Sequence, residues 1–359
     1  MSPSSTVQLQ ATETPAGAAD ANVAEGLWSD VWRRFKHNPI ALAGFYVVCL
    51  LVFMALFADF IANDKPYYLN YKGKSYFPIL RSYLVGANLG QWPAELLNVD
   101  FKKLEGAKAL YPVIPYRPSN INLLEPLEPP SAKHAFGTDK LGRDVAAGMI
   151  HGSRISLSIG FVAVGIALLI GVVLGAIAGY FGSWIDLVIS RIFEIMLSIP
   201  TFFLLITIAA LLPPSLYLTM LIIGATSWVG MARFTRNEFL RIRNLDYVTA
   251  AVALGVSDRK VMFKHILPNA IAPLLVYASF GVATAVLLEA GLSYLGLGVQ
   301  PPTPSWGNML NTARSLSTME RTAWQWIPPA ITTVMFVLAV NFVGDGIRDA
   351  VDPRTLFDK

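Results

Sequence analysis

The sequence predicts an all-α integral membrane protein with six transmembrane helices, and three observations carry that expectation. The 359-residue chain is 54% hydrophobic. Only 14% of its residues are charged, against roughly 25% in an average soluble protein. Those charges cluster, leaving uncharged windows close to the ~20 residues that cross ~30 Å of hydrocarbon.

Taken in order, Ile40 to Ala58 is the first window, bounded by Lys36 and Asp59. The second, Ile155 to Ile185, exceeds one span, and its Gly160, Gly165, Gly171, Gly175 and Gly179 suit close helix packing. Ile195 to Ala232 is broken by Pro213-Pro214 and reads as two helices, the third and fourth. Ile266 to Leu288 supplies the fifth and Thr322 to Gly344 the sixth. Such runs exclude a buried core helix of a soluble protein.

Residues 1–26 contain no Lys or Arg and no hydrophobic periodicity, which predicts a disordered leader rather than a secretory signal. Arg33, Arg34 and Lys36 precede the first span and predict a cytoplasmic N-terminus. Six spans return the C-terminus to the same side. The segment between the fourth and fifth spans agrees, with Arg233, Arg236, Arg241, Arg243, Arg259, Lys260 and Lys264 against Glu238, Asp246 and Asp258. The stretch from Asn63 to Arg154 carries about a dozen basic residues yet falls outside, as loops beyond ~60 residues do largely regardless of charge. Its tyrosines, prolines and alternating apolar residues predict an ordered insertion with short strands, serving as a cap or a docking face.

The basic loop from Asp246 to Asn269 holds small residues at Ala250, Ala251, Ala253 and Gly255. Ser257-Asp258 is a candidate cap for a helix beginning near Arg259, and Leu267-Pro268 predicts a stop before the fifth span. Two short surface helices are expected, with small side chains that admit a partner close to the backbone.

This loop resembles the "EAA" signature of permease subunits of bacterial ABC importers: Glu-Ala-Ala, three residues, Gly, nine residues, Ile-x-Leu-Pro. Ala250, Ala251, Gly255, Leu267 and Pro268 match it, while Thr249 stands for Glu and His265 for Ile. Phe136 to Val145 and Gly152 to Leu157 are similar to the entry to the second span in C-type permeases of dipeptide and oligopeptide importers. Glu289 to Leu310 and Gly344 to Arg354 resemble the same branch. Ile61 to Pro66 with Tyr76-Phe-Pro78 resembles the Yej-type subgroup, associated with microcin C and oligopeptide uptake, whereas Leu141 to Asp144 reads like the general dipeptide and nickel branch.

The resemblance implies the six-helix type I ABC importer fold in a bacterial inner membrane, with peptide as substrate. It implies a coupling loop, residues 233–268, that docks on an ATPase through Asp246, Thr249, Ala250, Ala251, Gly255, Asp258, Arg259, His265, Leu267 and Pro268. Expected partners are a second homologous permease, two cytoplasmic ATPases that bind ATP and Mg, an extracytoplasmic substrate-binding protein, and lipid. The expected divisions are 1–26 (leader), 27–62 (cytoplasmic segment and first span), 63–150 (insertion), 151–350 (five-helix core) and 351–359 (cytoplasmic tail).

Ionisable residues at membrane depth are functional candidates. Arg191 and Glu194 are spaced to pair on one helix face, Pro200 predicts a kink, and Glu289 either lines the path or makes structural hydrogen bonds. Histidines 37, 134, 151 and 265 show no metal-ligand spacing. No phosphate-loop pattern occurs, so ATP hydrolysis is assigned to other subunits and no cofactor to this chain. No lysine-rich run points to nucleic acid. Rival readings are a secondary transporter or channel, a membrane enzyme, and a permease for nickel or another small solute.

Overall fold

The computed structural model describes residue 29 and residues 31–351, except 98 and 105. The expected leader and the tail after Val351 lie outside them. A short helix over 31–37 leads into α1 (Pro39–Leu56), whose start is capped by Asn38 Oδ1 accepting from the Ile40 and Ala41 amides, both at 3.2 Å. A one-turn helix, α2 (Ala58–Ile61), opens the insertion. There β1 (Tyr68–Tyr71), β2 (Lys74–Tyr76) and β3 (Lys108–Leu110) form an antiparallel sheet in the order β2-β1-β3, with α3 (Pro78–Gly86) between β2 and β3.

The bundle follows: α4 (Val145–Phe181), α5 (Ser183–Ser198), α6 (Thr201–Leu211) and α7 (Leu216–Arg243). The loop helices α8 (Asp246–Ala253) and α9 (Asp258–Lys260) lead to α10 (Leu267–Tyr294). Two short helices, α11 (Trp306–Leu310) and α12 (Leu316–Arg321), precede α13 (Ile327–Val351). Among the described residues, five helices are long and apolar enough to span a membrane, and α5 with α6, bent by 77° at their junction, passes the same test as a pair.

Several boundaries differ from the uncharged windows because helices carry charges whose partners lie elsewhere in the fold. Helix α4 begins at Val145, ten residues before the expected start, so the insertion ends at Asp144 rather than 150. Asp144 caps it, Oδ1 accepting from the Ala147 amide at 2.7 Å. Arg154 stays within α4 because Nη1 pairs with Asp59 at 2.9 Å and Nε donates to the Ala55 carbonyl at 2.9 Å. Helix α7 likewise runs on past Ala232, with Arg236 clamped to Asp186 of α5 by a second bond of 2.6 Å. Helix α4 ends at Phe181, short of Ile185, where Gly182 adopts φ +61° and the chain turns into α5. The first turn of α13 starts at Ile327, not Thr322, because residues 323–325 form a separate 3-10 turn.

The expected stop at Leu267-Pro268 does not occur. Residues Val261–Ile266 form a π-helical turn that joins α9 to α10 without a break, giving one helix from Asp258 to Tyr294. The wider turn lets the Leu267 amide bond five residues back to the Met262 carbonyl, and it opens room for a proline ring that would clash in a tight α-helical turn.

Helices α4 and α7 cross at backbone contact. A Cβ on Gly175 would lie 2.3 Å from the Ala232 carbonyl oxygen, one on Gly179 2.6 Å from that of Arg236, and one on Gly171 2.7 Å from Met231 Cβ. Gly160 makes a similar close approach to Val286 of α10, whereas Gly165 meets nothing within 4 Å. Gly175→Val should therefore force the helices apart and lower the thermal unfolding midpoint in nanodiscs by several degrees, the overpacking being of order 1–3 kcal/mol. Gly165→Ala should leave the midpoint within a degree or so.

The insertion is tied to α1 and α4 through Asp59, whose Oδ2 accepts from the Tyr83 hydroxyl at 2.7 Å as well as from Arg154. Burial pushes the Asp59 carboxyl up, but the Tyr83 and Arg154 hydrogen bonds outweigh it and hold the group below its ordinary 3.8. A depressed carboxyl stabilises the fold above its unfolded-chain value and loses that contribution as pH falls through the lower folded value. Unfolding followed from pH 6 down to pH 3 should show an acid-side loss of stability that Asp59→Asn reduces.

Candidate functional site

The loop of residues 244–266 sits at the end of the bundle opposite the insertion. Its first helix, α8, buries Val248 completely in a cluster with Phe239 and Ile242 of α7, Tyr180 of α4, and Val261 and Ile266, and it also buries Ala251. The other face is open: Thr249, Ala250, Ala253 and Gly255 are exposed, flanked by Val252, Leu254 (85% exposed) and Phe263. Large apolar side chains held outward beside small ones make a shallow surface on which a partner's backbone can lie close.

Gly255 makes this shape possible. Helix α8 ends in a Schellman motif, the Val256 amide bonding the Ala251 carbonyl at 3.1 Å and the Gly255 amide the Val252 carbonyl at 3.0 Å. That motif places Gly255 at φ +76°, and no atom lies within 4 Å of the point a Cβ would occupy, so the requirement for glycine is conformational rather than spatial.

Polar contacts fix the loop to the spans. The Tyr180 hydroxyl at the end of α4 donates to Asp258 Oδ1 at 2.6 Å, so Asp258 is a tether to α4. Ser257 occupies the N-cap position of α9 without a side-chain cap bond. Asn269 Nδ2 donates to the His265 carbonyl at 2.7 Å and to the Tyr247 hydroxyl at 3.0 Å. Burial pushes the Tyr247 phenol above its ordinary value, keeping it protonated. Thr249 Oγ1 bonds back to the Asp246 carbonyl at 2.9 Å, Arg259 is exposed, and Leu267 and Pro268 lie in the first turn of α10. The structure thus gathers the ten loop candidates into one unit. Tyr180 was missing from them, and its only sequence signal is an aromatic at the end of an apolar run.

The remaining candidates do not converge. Arg191 Nη1 and Glu194 Oε2 pair at 2.5 Å on α5, with both side chains more than 60% exposed. Pro200 follows Ile199 at the 77° bend between α5 and α6. Glu289 has no exposed surface at all and faces three serines. Its Oε1 accepts from Ser293 at 2.7 Å and Ser305 at 2.8 Å, and its Oε2 from Ser156 at 3.4 Å. Each serine oxygen in turn accepts a backbone amide: Trp306 on Ser156, Val299 on Ser293 and Asn308 on Ser305. Of the two expected roles, this conformation displays the structural one. The serines come from α4, from α10 and from the cap of α11, so their convergence is invisible in sequence.

A cavity of about 220 Å³ does lie between α4, α7 and α10, lined by Ala163, Ser227, Tyr277, Phe280 and Thr284 among others. Glu289 is not among its lining residues. Among the described residues, Glu125, Glu128 and His134 of the insertion are the one set spaced to hold a metal ion, despite their unpromising separation in sequence.

Comparison with known proteins follows the same division of the chain. Residues 171–357 match the family described as binding-protein-dependent transport system inner membrane component. The chain belongs to this family. Residues 26–78 of the permease also match the N-terminal TM domain of oligopeptide transport permease C. The permease is 34% identical over 335 residues to the dipeptide transport system permease protein DppC of Alkalihalophilus pseudofirmus, covering 93% of this chain and 92% of the relative. It is 34% identical to the peptidoglycan transport system permease protein YejE of Agrobacterium fabrum (91% and 93% covered). It is 36% identical to the di/tripeptide transport system permease protein DppC of Pseudomonas aeruginosa (90% and 91% covered).

Two substitutions separate anchoring from exposure in this permease. Glu289→Ala leaves three buried hydroxyls without their acceptor and opens a void, so stability should drop by about 2–5 kcal/mol in thermal or denaturant unfolding. Tyr180→Phe removes one part-buried hydrogen bond and should change global stability by about 1 kcal/mol, while amide exchange across residues 246–266 accelerates.

Proposed function

We propose that this chain is the membrane-spanning permease subunit of an ATP-driven peptide importer in a bacterial inner membrane, with both termini in the cytoplasm. The observation that carries the proposal is the loop at one end of the bundle: an exposed small-and-apolar surface that is rigidly mounted on α4, α7 and α10 at once. A surface so mounted is suited to receive force, because displacement of α8 and α9 moves three spans together.

In this reading α8, Gly255 and α9 dock in a groove of a cytoplasmic ATPase, through Thr249, Ala250, Gly255 and Arg259, while Asp246, the buried Ala251, Asp258, His265, Leu267 and Pro268 hold the loop in shape. ATP and Mg are bound by two such ATPases and not by this chain. A second, homologous permease covers the open side of the α4–α7–α10 cavity, and an extracytoplasmic binding protein delivers the substrate. Peptide is favoured as cargo because relatives matching over nine-tenths of the chain are named for dipeptide, di/tripeptide or peptidoglycan transport, and none of those three for nickel. Pro200 and the bend between α5 and α6 serve gating, and the exposed Arg191–Glu194 pair steadies the adjoining helix.

Reconstitution in liposomes with the cognate ATPases, second permease and binding protein tests the coupling role. Gly255→Val imposes a β-branched side chain at φ +76°, where even an ordinary L-residue is strained by roughly 1–2 kcal/mol. ATP hydrolysis should continue while ATP-dependent uptake of labelled dipeptide falls about tenfold or more. Unchanged uptake would remove the loop from its assigned role, and uptake driven by an ion gradient without ATP would favour a secondary transporter.

A further inference from the structure

The insertion contains a polar cluster that lies apart from the coupling loop and the bundle cavity. His134 is 2% exposed, and its Nδ1 lies 2.7 Å from Oδ2 of Asp144, the residue that caps α4. An ionised carboxylate only accepts, so it holds the imidazole proton on Nδ1 and leaves Nε2 with a lone pair. This buried Nε2 has no hydrogen-bond partner, and it faces Glu125 Oε2 at 3.6 Å. One ligand atom each from Glu125, Glu128 and His134 lies within 4.8 Å of the others. Lys133 and Asn122 offset only part of the repulsion among three acceptors that converge in this way, and a cation among them would relieve the rest.

We propose that Glu125, Glu128 and His134 form a binding site for a divalent transition-metal ion, with Asp144 as the outer carboxylate that orients the imidazole. One imidazole and two carboxylates suit Zn²⁺, which takes three protein ligands and leaves a fourth position to solvent. Bonds of about 2.1 Å at tetrahedral angles set ligand atoms about 3.4 Å apart, so modest rotation of the two partly exposed glutamates closes the set. A carboxylate–histidine–metal arrangement is the usual way such an imidazole is held and its basicity raised. The Tyr116 ring stacks on His134 with centroids 4.5 Å apart, shielding the imidazole on one face.

Neighbouring charges define the competition. Lys133 pairs with Glu125 Oε1, Asn122 donates to Glu125 Oε2 at 2.9 Å, and Lys102 lies 4.0 Å over the Tyr116 ring. Lys133 is half exposed and free to swing into solvent, so it acts as a rival cation that the metal displaces. Metal binding would fasten the segment 125–134 to the capped start of α4.

The test uses the full chain in nanodiscs, without a histidine tag and stripped of metal, titrated with Co²⁺ and then with Zn²⁺. One equivalent of Co²⁺ should give saturable visible absorbance that Zn²⁺ displaces. Glu128→Gln and Asp144→Asn should each weaken binding by roughly 10–100-fold, whereas Lys133→Ala should tighten it severalfold. Wild-type affinity in His265→Gln would exclude the loop histidine as the source. Absence of saturable binding by the wild-type chain, or undiminished affinity in Glu128→Gln, would overturn the proposal. Glu128 is partly exposed and Lys133 exposed, so these variants report even if substitution at the buried Asp144 impairs folding.

Discussion

The close crossing of α4 and α7 is the constraint on which the rest of the structure depends. In lipid, helices gain nothing from hiding apolar surface from water, so association rests on packing and polar contacts. Gly171, Gly175 and Gly179 bring the two backbones within van der Waals reach over two helical turns. A rod of 37 residues, about 55 Å long, is thereby held against its neighbour along its second half. The polar attachments then sit on that rod in sequence: Asp144 at the cap, Arg154 to Asp59, Ser156 to Glu289, and Tyr180 to Asp258. Helix α4 links the insertion, the buried carboxylate and the loop in a single element.

The carboxylate of Glu289 performs a different task from the glycines. The segment from Gly296 to Leu310 folds back into the bundle, where free backbone amides carry a large penalty. Three of those amides are met by serine oxygens, and the three serine protons are met by Glu289. One acidic group thus completes three two-step chains through its two acceptor oxygens. Two acceptor oxygens on one side chain make the Glu289 carboxyl an effective organiser of irregular backbone.

Most span positions were legible because lipid demands long apolar runs, but their ends were not. Arg154 reads as a boundary and Arg236 as part of a loop when only chain order is considered, yet each sits inside a helix beside a carboxylate that is 95 and 50 residues away in sequence, respectively. Pro268 read as a stop because the rule assumes α-helical geometry, and the π turn before it lifts that assumption. In the loop, Gly255 and its small neighbours were visible because backbone conformation is a local property. The tether from Tyr180 and the serines around Glu289 depend on which helices touch. No local pattern encodes them.

The unbroken helix from Asp258 to Tyr294 sharpens how force could travel in the proposed importer. A hinge at Pro268 would have let α9 rotate while α10 stayed still. The π turn instead keeps the backbone hydrogen-bonded up to the proline, the Leu267 amide reaching the Met262 carbonyl, and the helix runs on without a break, so a push on α9 acts on α10. At the far end of α10 stands Glu289, bound to α4 and to α11. Because Tyr180 also ties α9 to α4, the two helices are joined near both ends. They therefore tilt as a pair, and the motion needed to change access falls on elements outside that pair. The bent α5–α6 pair, with its 77° break at Pro200, is one of these elements.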